Sequence, residues 1–531
     1  MRRWNGWGDD ANDFPLKASG LAFLKDTLGP GRPLPDATWE EVLARVPASR
    51  LPAHPLVNTA ADIRVRHARG QSLPDWLAMR SGEFGVFPDG VAEPESADDI
   101  RALLAWAAEQ DVLLVPYGGG TSVAGHINPP AQDKPVLTLS LARMNRLLSL
   151  DRDSQIARFG PGTNGPGVEQ QLREHGYVLG HFPQSWELST VGGWVASRSS
   201  GQQSLRYGRI EQLFAGGSME TPDGTLDIPT LPASSAGPDL REIVLGSEGR
   251  FGVISEVALR VTPLPEHESF HVAFMPDWPG AVALVRRLVQ ARVPLSMLRL
   301  SNAEETRTQL TLAGHEQLVA WLERYLTLRG CGEGKCMVTF GVTGERAPSR
   351  RLLADVLRRI RRAGGVNTGR LLGRKWEDAR FRSPYLRHGL WEHGYVVDTL
   401  ETSVDWVRVP SMVAAVESAL HDASDDGEKA HVFTHLSHLY PQGSSIYTTY
   451  VFRCADDYAT TLARWRRMKT AASEAIVAQG GTISHQHGVG RDHAPWLAAE
   501  KGARGMSALH ALATHFDPQA RLNPGCLLQE K

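Results

Sequence analysis

The chain has 531 residues, 42% of them hydrophobic and 22% charged, with a net charge of −2. These values fit a globular protein long enough for two or three domains with full cores, and they exclude a global basic field for nucleic acid. No stretch reaches the roughly 18 uninterrupted apolar residues of a spanning helix. The segment Met1 to Asp10 has no apolar signal core, and Cys331, Cys336, Cys454 and Cys526 are too scattered for a disulfide framework, so a soluble cytoplasmic protein is expected.

Residues 1–90 mix Pro-rich connections with helix-like apolar spacing over Leu21 to Leu28 and Trp39 to Val46. The basic run Arg64 to Arg69 reads as a solvated helix face in preference to a guide for an acidic substrate. From about 91 to 267 the pattern is α/β, with Ser96 as N-cap of a helix over Asp98 to Gln110. A strand, Val112 to Val115, then runs into Pro116, Tyr117, Gly118, Gly119, Gly120, Thr121, Ser122 and Val123. Glycines without a Cβ, followed by hydroxyls and a row of backbone N–H groups, suit phosphate; the alternative is a plain glycine turn.

Strands are predicted over Val136 to Ser140 and Ile156 to Phe159, and a helix over Val168 to His175. The block from His181 to Ser197 carries Pro183, Ser185, Ser189, Thr190, Gly192 and Gly193, and continues through Ser199, Gly201, Tyr207 and Gly208 to Glu211. Small and hydroxyl residues of this kind give clearance and hydrogen bonds to a large flat ligand, with close packing as the alternative. Glu248, Gly249, Gly252, Val253 and Ile254 lead into an alternating strand. Residues 268–475 read as a second domain of strands and helices, and glycine-rich sequence returns in 476–531, at Gly480 to Gly490 and Asn523-Pro-Gly525.

These pieces, in this order, resemble the flavoproteins of the vanillyl-alcohol oxidase type, and within them the alkyldihydroxyacetonephosphate synthase family. The likeness extends to Trp4-Asn-Gly-Trp-Gly8, Ser296 to Leu300, Tyr385 to Arg387, Leu400 to Ser403, Ser445-Ile-Tyr447 and Ser484 to Gly490. It implies a two-lobed α/β FAD-binding domain (91–267, completed by 476–531), an inserted α+β cap (268–475) and a helical N-terminal segment (1–90). FAD would bind non-covalently, because the glycine loop holds no His or Cys linkage, although His126 lies just beyond it. Gly118 to Ser122 would hold the pyrophosphate, flanked by Ser189 to Gly193 and Gly249 to Ile254, with Asn523 close by.

The resemblance further implies exchange of the acyl group of acyl-dihydroxyacetone phosphate for a fatty alcohol, with the flavin as electron sink. By position, Arg299 matches the family's essential arginine, Arg387 a second active-site arginine, and Tyr447 the acid/base tyrosine. His485 and His487 match the outer members of a histidine triplet. Arg299 would find its anionic partner in the substrate, and the arginines with a charged His487 would favour the Tyr447 phenolate. Gln486 departs from the triplet, since an amide does not exchange a proton near neutral pH. The rival is a D-2-hydroxy acid dehydrogenase, whose metal site this chain breaks with Tyr447 and Gln486. No metal is expected, and His431, His435 and His438 are a remote alternative for one. A flavin protein without catalysis is the third reading. Peripheral membrane contact and a homodimer stay open.

Overall fold

Residues 2–12, 14–314, 316–424 and 427–529 are described by the computed structural model of the protein. Four helices punctuate the first 81 residues: Ala18–Leu28, Trp39–Ala44, Ala61–Arg66 and Leu73–Ser81. Arg64 is not on a solvated face: its guanidinium is buried and donates to the carbonyls of Pro88 (2.6 Å) and Pro47 (2.7 Å). A buried guanidinium is tolerable there because backbone oxygens solvate it.

The glycine loop hangs from a four-stranded sheet. Its order is Val57–Asn58, Gly90–Ala92, Val136–Ser140, Leu113–Tyr117, with the first pair antiparallel and the others parallel. Helix Ala97–Glu109 is capped reciprocally by Ser96 and Asp99 and buries Ile100, Leu103, Leu104 and Ala107, the i, i+3, i+4, i+7 stripe read from sequence. The far C-terminus joins this sheet: Asn523 N–H donates to the Leu114 carbonyl at 2.8 Å. A second, antiparallel sheet runs Leu147–Asp151, Ile156–Phe159, Val253–Arg260, Phe214–Thr221, Gly224–Ile228.

The third sheet has seven antiparallel strands in the order Val366–Asn367, His267–Met275, Cys336–Gly344, Met297–Ser301, His431–Leu436, Gly443–Arg453, Tyr395–Asp405. Period-2 alternation gives it two unlike faces. Leu298, Leu300, Val432, Leu436, Ile446, Tyr450, Val396 and Leu400 point into one apolar core. That core is covered by helices Trp278–Gln290, Arg346–Arg362, Val409–Asp422 and Tyr458–Ala478. The intervening positions, Arg299, His435, Tyr447 and Glu401, therefore share the opposite face. Register sets them side by side: Glu401 pairs with Tyr447, Tyr447 with His435, and His435 with Ser301.

Candidate active site

The glycine loop is wedged against the turn before helix Val191–Ser197. Gly120 has φ +66°, and a Cβ at Gly119 would collide with the Leu188 carbonyl. Thr190 caps the helix by accepting from Gly193 N–H, and the Ser189 hydroxyl accepts from Trp194 Nε1 at 2.7 Å. Pro183 and Ser185 build the turn through their carbonyls, which accept from Trp186, Leu188 and Ser189. Gly249 packs under Pro116, whereas Gly192 is excluded from carrying a Cβ by Pro161, and Gly252 by Met219. Val253 and Ile254 are core. Tyr207 packs on Gly180 beside Phe182, Gly208 on Gln212, Gly201 on Phe182, and the Ser199 hydroxyl reaches His181 Nε2 at 3.2 Å.

Behind the loop, Glu248 ties three distant segments together. Its carboxylate accepts from Val489 N–H (2.6 Å) and Gly490 N–H (2.7 Å) and lies 3.3 Å from His126 Nε2. Burial opposes the charge, but His126 and the two N–H donors outweigh it and hold the carboxyl below its usual range. Asn523 donates to the carbonyls of His126 and Glu248. The 488–490 and 523 segments thus stand directly against the loop.

One wall beside the loop carries buried polar atoms without a hydrogen-bond partner among the described residues: Arg69 Nε, Gln71 Oε1, Asn128 Oδ1 and Arg387 Nε and Nη2. The wall is continuous, since Gln71 N–H donates to Ser122 O (2.6 Å) and Arg387 Nη1 donates to Gln71 O (2.6 Å). Orphaned buried donors and acceptors are costly in a folded protein. A cofactor with a pyrophosphate and polar ring edges would offer such atoms partners, so the residues fit FAD. Arg387 lies over the Trp76 ring at 4.7 Å, and burial lowers its pKa.

The polar face of the large sheet is different in character. Arg299 Nη2 donates to Glu305 Oε1 at 2.6 Å and lies 3.0 Å from His435 Nδ1. The substrate is therefore not the sole counter-ion of Arg299: Glu305, on helix Ala303–Leu312, already fills that role. Burial raises the Glu305 carboxyl, but Arg299 and then His435 outweigh it and hold it far below the ordinary range.

Tyr447 stacks on His435 (centroids 4.7 Å apart) and meets His487 edge-on at 5.8 Å, and its hydroxyl donates to Thr399 Oγ1 at 3.1 Å. Burial pushes the phenol well up, and the charges of Glu401 and Asp398 push it further. His487 is itself lowered by burial. The expected phenolate favoured by a charged His487 is thus corrected: burial with the charges of Glu401 and Asp398 outweighs Arg299 and raises the phenol, while burial outweighs those same carboxylates at His487 and lowers the imidazole.

His485 does not face Tyr447. Its ring lies between Arg209 Nη1 and Tyr440 OH, both 2.7 Å from Nε2, and Glu401 Oε1, 3.2 Å from Nδ1. Gln486 donates to Glu401 Oε2 at 2.6 Å. Where a third imidazole was expected, the amide clamps a carboxylate. Glu401 is held well below its usual range; burial opposes this, and His485 and its neighbours win.

Glu401, His438 and His485 bring ligand-type atoms within 4.8 Å of one another, the one such group among the described residues. The alternative trio dissolves. His431 contacts Thr308 and Glu304, His435 contacts Arg299 and Glu305, and His438 contacts Ser200 and Ser204. Spacings of four and seven converge on a helix, and here residues 431–436 form a strand.

Glu305, Glu401 and Arg209 were not singled out as site residues. Glu401 and Arg209 lie in stretches that were, Leu400 to Ser403 and Tyr207 to Glu211. Glu305 has no local signal.

Residues 88–227 match the family described as FAD binding domain, and residues 264–527 the family described as FAD linked oxidases, C-terminal domain. With the site geometry, these define a two-lobed FAD-linked enzyme, and FAD is its cofactor. The chain is 30% identical over 473 residues to an alkyldihydroxyacetonephosphate synthase of Dictyostelium discoideum, covering 88% of this chain and 77% of that one. It is 28% identical over 568 residues to the corresponding protein of Trypanosoma brucei brucei, covering 99% and 92%. A solved alkyldihydroxyacetonephosphate synthase superposes with a TM-score of 0.83 at 26% identity over 98% of both chains. The protein belongs to the alkyldihydroxyacetonephosphate synthase family.

Proposed function

We propose that the protein converts acyl-dihydroxyacetone phosphate and a fatty alcohol into alkyl-dihydroxyacetone phosphate and a fatty acid. The observation that carries this reading is the pairing of one polar sheet face, holding Arg299, His435, Tyr447 and Glu401, with a wall from which Arg387 offers two unfilled donors. A guanidinium with Nε and one Nη free presents the fork that binds phosphate bidentately. Arg387 would take the substrate phosphate and stop it sliding along the wall. The glycine loop and the 248, 488–490 and 523 segments would hold FAD non-covalently, which when bound would supply an electron sink with no net redox change.

Around it, the chain handles protons and orientation. Proton removal beside the substrate carbonyl needs a group within hydrogen-bond reach. His487, edge-on to Tyr447 and with its pKa lowered by burial, is the base of the reading. The Tyr447 phenol, whose direction Thr399 fixes, would give its proton to the leaving acyl oxygen and recover one from the incoming alcohol's hydroxyl, so that the fatty acid carries away the proton the alcohol loses. Arg299, steered by Glu305, orients rather than neutralises. No helix among the described residues is long and apolar enough to cross a membrane. Both substrates are amphiphiles, so the reading includes peripheral contact with a lipid surface, which vesicle co-sedimentation tests.

The deciding experiment incubates FAD-loaded protein with acyl-dihydroxyacetone phosphate and labelled fatty alcohol. Labelled ether product with equimolar fatty acid is expected. An inert protein whose flavin is instead reduced by D-lactate or D-2-hydroxyglutarate would overturn the reading. Acid precipitation should leave yellow flavin in the supernatant; flavin retained in the pellet would sink non-covalent binding.

A further inference from the structure

Arg209 touches none of the groups assigned above to substrate, yet it grips His485 at two points. Its Nη1 lies 2.7 Å from His485 Nε2 and donates to Tyr440 OH at 3.0 Å, and its Nη2 donates to the His485 carbonyl at 3.0 Å and to Arg198 O at 3.2 Å. Its Nε faces Glu211 at 2.7 Å, which anchors the guanidinium from behind.

A guanidinium only donates. At 2.7 Å it requires a lone pair on Nε2, so the imidazole proton sits on Nδ1, which faces Glu401 Oε1. Glu401 Oε1 accepts from Ser437 Oγ at 3.1 Å and Oε2 from Gln486 at 2.6 Å, while His485 Nδ1 lies 3.2 Å from Oε1 outside hydrogen-bond geometry. Residues 485 and 486 thereby both meet one carboxylate, Gln486 by a hydrogen bond and His485 by a 3.2 Å charge contact, and the next residue, His487, meets Tyr447 edge-on. With its proton on Nδ1, His485 offers no lone pair on the side facing Glu401 in the Glu401, His438 and His485 group, so a metal there would have to displace that proton.

We propose that Arg209 is a positioning residue: its donor-only contact fixes His485 as the Nδ1–H tautomer, which completes the Glu401 clamp on 485–486 and aims His487 at Tyr447. This rests on the proposed exchange reaction for its catalytic consequence, but the tautomer itself does not.

The test uses FAD-loaded protein labelled with ¹⁵N-histidine, with the His485 signals assigned by their loss in His485→Gln. Wild-type protein should show Nδ1 protonated and Nε2 bare, unchanged by added zinc. Arg209→Met should lose that single-tautomer signature and lower kcat on the order of 10²-fold, the scale of misplaced acid–base machinery, with FAD content and KM little changed. Arg209→Lys keeps a donor-only cation and should restore the tautomer and most of kcat. A proton on Nε2 in the wild type overturns the proposal, as does an Arg209→Met variant that loses the tautomer at full kcat, or zinc displacing the Nδ1 proton. A wild type with the expected tautomer but no exchange activity would refute the reaction and leave the His485 assignment standing.

Discussion

The two walls of the site differ in how they treat charge. On the sheet face each ion has an internal partner: Arg299 with Glu305, Arg209 with Glu211, and Glu401 with His485 and Gln486. On the loop wall Arg69, Gln71, Asn128 and Arg387 keep buried atoms unpaired. The first arrangement has its charges paired before anything binds, even though Arg299 Nε and Glu305 Oε2 are also buried without a hydrogen bond, so it can aim groups. The second is complete only when a ligand supplies the missing partners, so it can select one. Pre-organisation and recognition are thus divided between two parts of one cleft.

The most severe break of this division is Tyr447→Phe. It removes one hydroxyl from the pre-organised face and should lower kcat by roughly 10²–10⁴-fold while flavin content and melting temperature hold. An unchanged kcat would make the stacked Tyr447–His435 pair structural. Next in size is Glu305→Ala, which leaves the half-buried Arg299 beside His435 without its carboxylate. Breaking a fully buried pair costs about 3–5 kcal/mol, and the partial exposure of Arg299 puts the expected loss at or below the low end of that range, still a clear fall in denaturation midpoint without substrate.

Arg387→Met sharpens the contrast from the other side. Its charge has no carboxylate in hydrogen-bond contact, so the variant should be as stable as wild type or slightly more so. Turnover should suffer chiefly through a KM for acyl-dihydroxyacetone phosphate raised about 10–100-fold, the scale of roughly 1.5–3 kcal/mol for a hydrogen bond to a charged group. A loss of stability matching that of Glu305→Ala would erase the distinction between the walls.

The smallest effect belongs to Glu169, which is buried away from both walls. Burial raises its carboxyl from 4.5 to about 7, against a bond from Gly180 N–H and the charge of Arg173. Its folded pKa exceeds the unfolded one, so the native state binds more protons between about pH 4.5 and 7 and stability falls as pH rises through that window. Glu169→Gln should flatten the slope, leaving stability at pH 5 unchanged and raising it at pH 8 by about 1–3 kcal/mol. Thermal melts across that range check it.

The elements were largely legible because their apolar periods are clean: the stripe from Ile100 to Ala107 reads as a helix, and the alternation around Arg299 and Tyr447 reads as strands. What the sequence could not supply was which ions would meet. Glu305 reaches Arg299 from the helix that follows it, and His435 reaches both only because Ser301 and His435 are register partners 134 positions apart. The phenolate reading of Tyr447 failed for a related reason. A count of nearby arginines ignores that one is already neutralised and that Glu401 lies opposite the phenol. Arg64 was misplaced because a basic run looks solvated until its backbone acceptors are known.

The row Glu401, Tyr447, His435 spans three neighbouring strands, and it holds only while each strand keeps step with the next. Slipping Gly443–Arg453 by a single residue would present Ile446 or Thr448 to the flavin side and bury the phenol among the helices. Two features guard against this at the hairpin: Tyr440 N–H donates to the Gly443 carbonyl at 2.8 Å, and a Cβ at Gly443 would collide with the carbonyl of Val404. The most vulnerable coding change near this site is therefore not a substitution at all. A single-codon insertion between 437 and 443 that the strand absorbs as a one-residue slip would leave every side chain in the protein but put the chemistry on the wrong side of the sheet, whereas a two-codon insertion keeps the parity and shifts the row only along the strand.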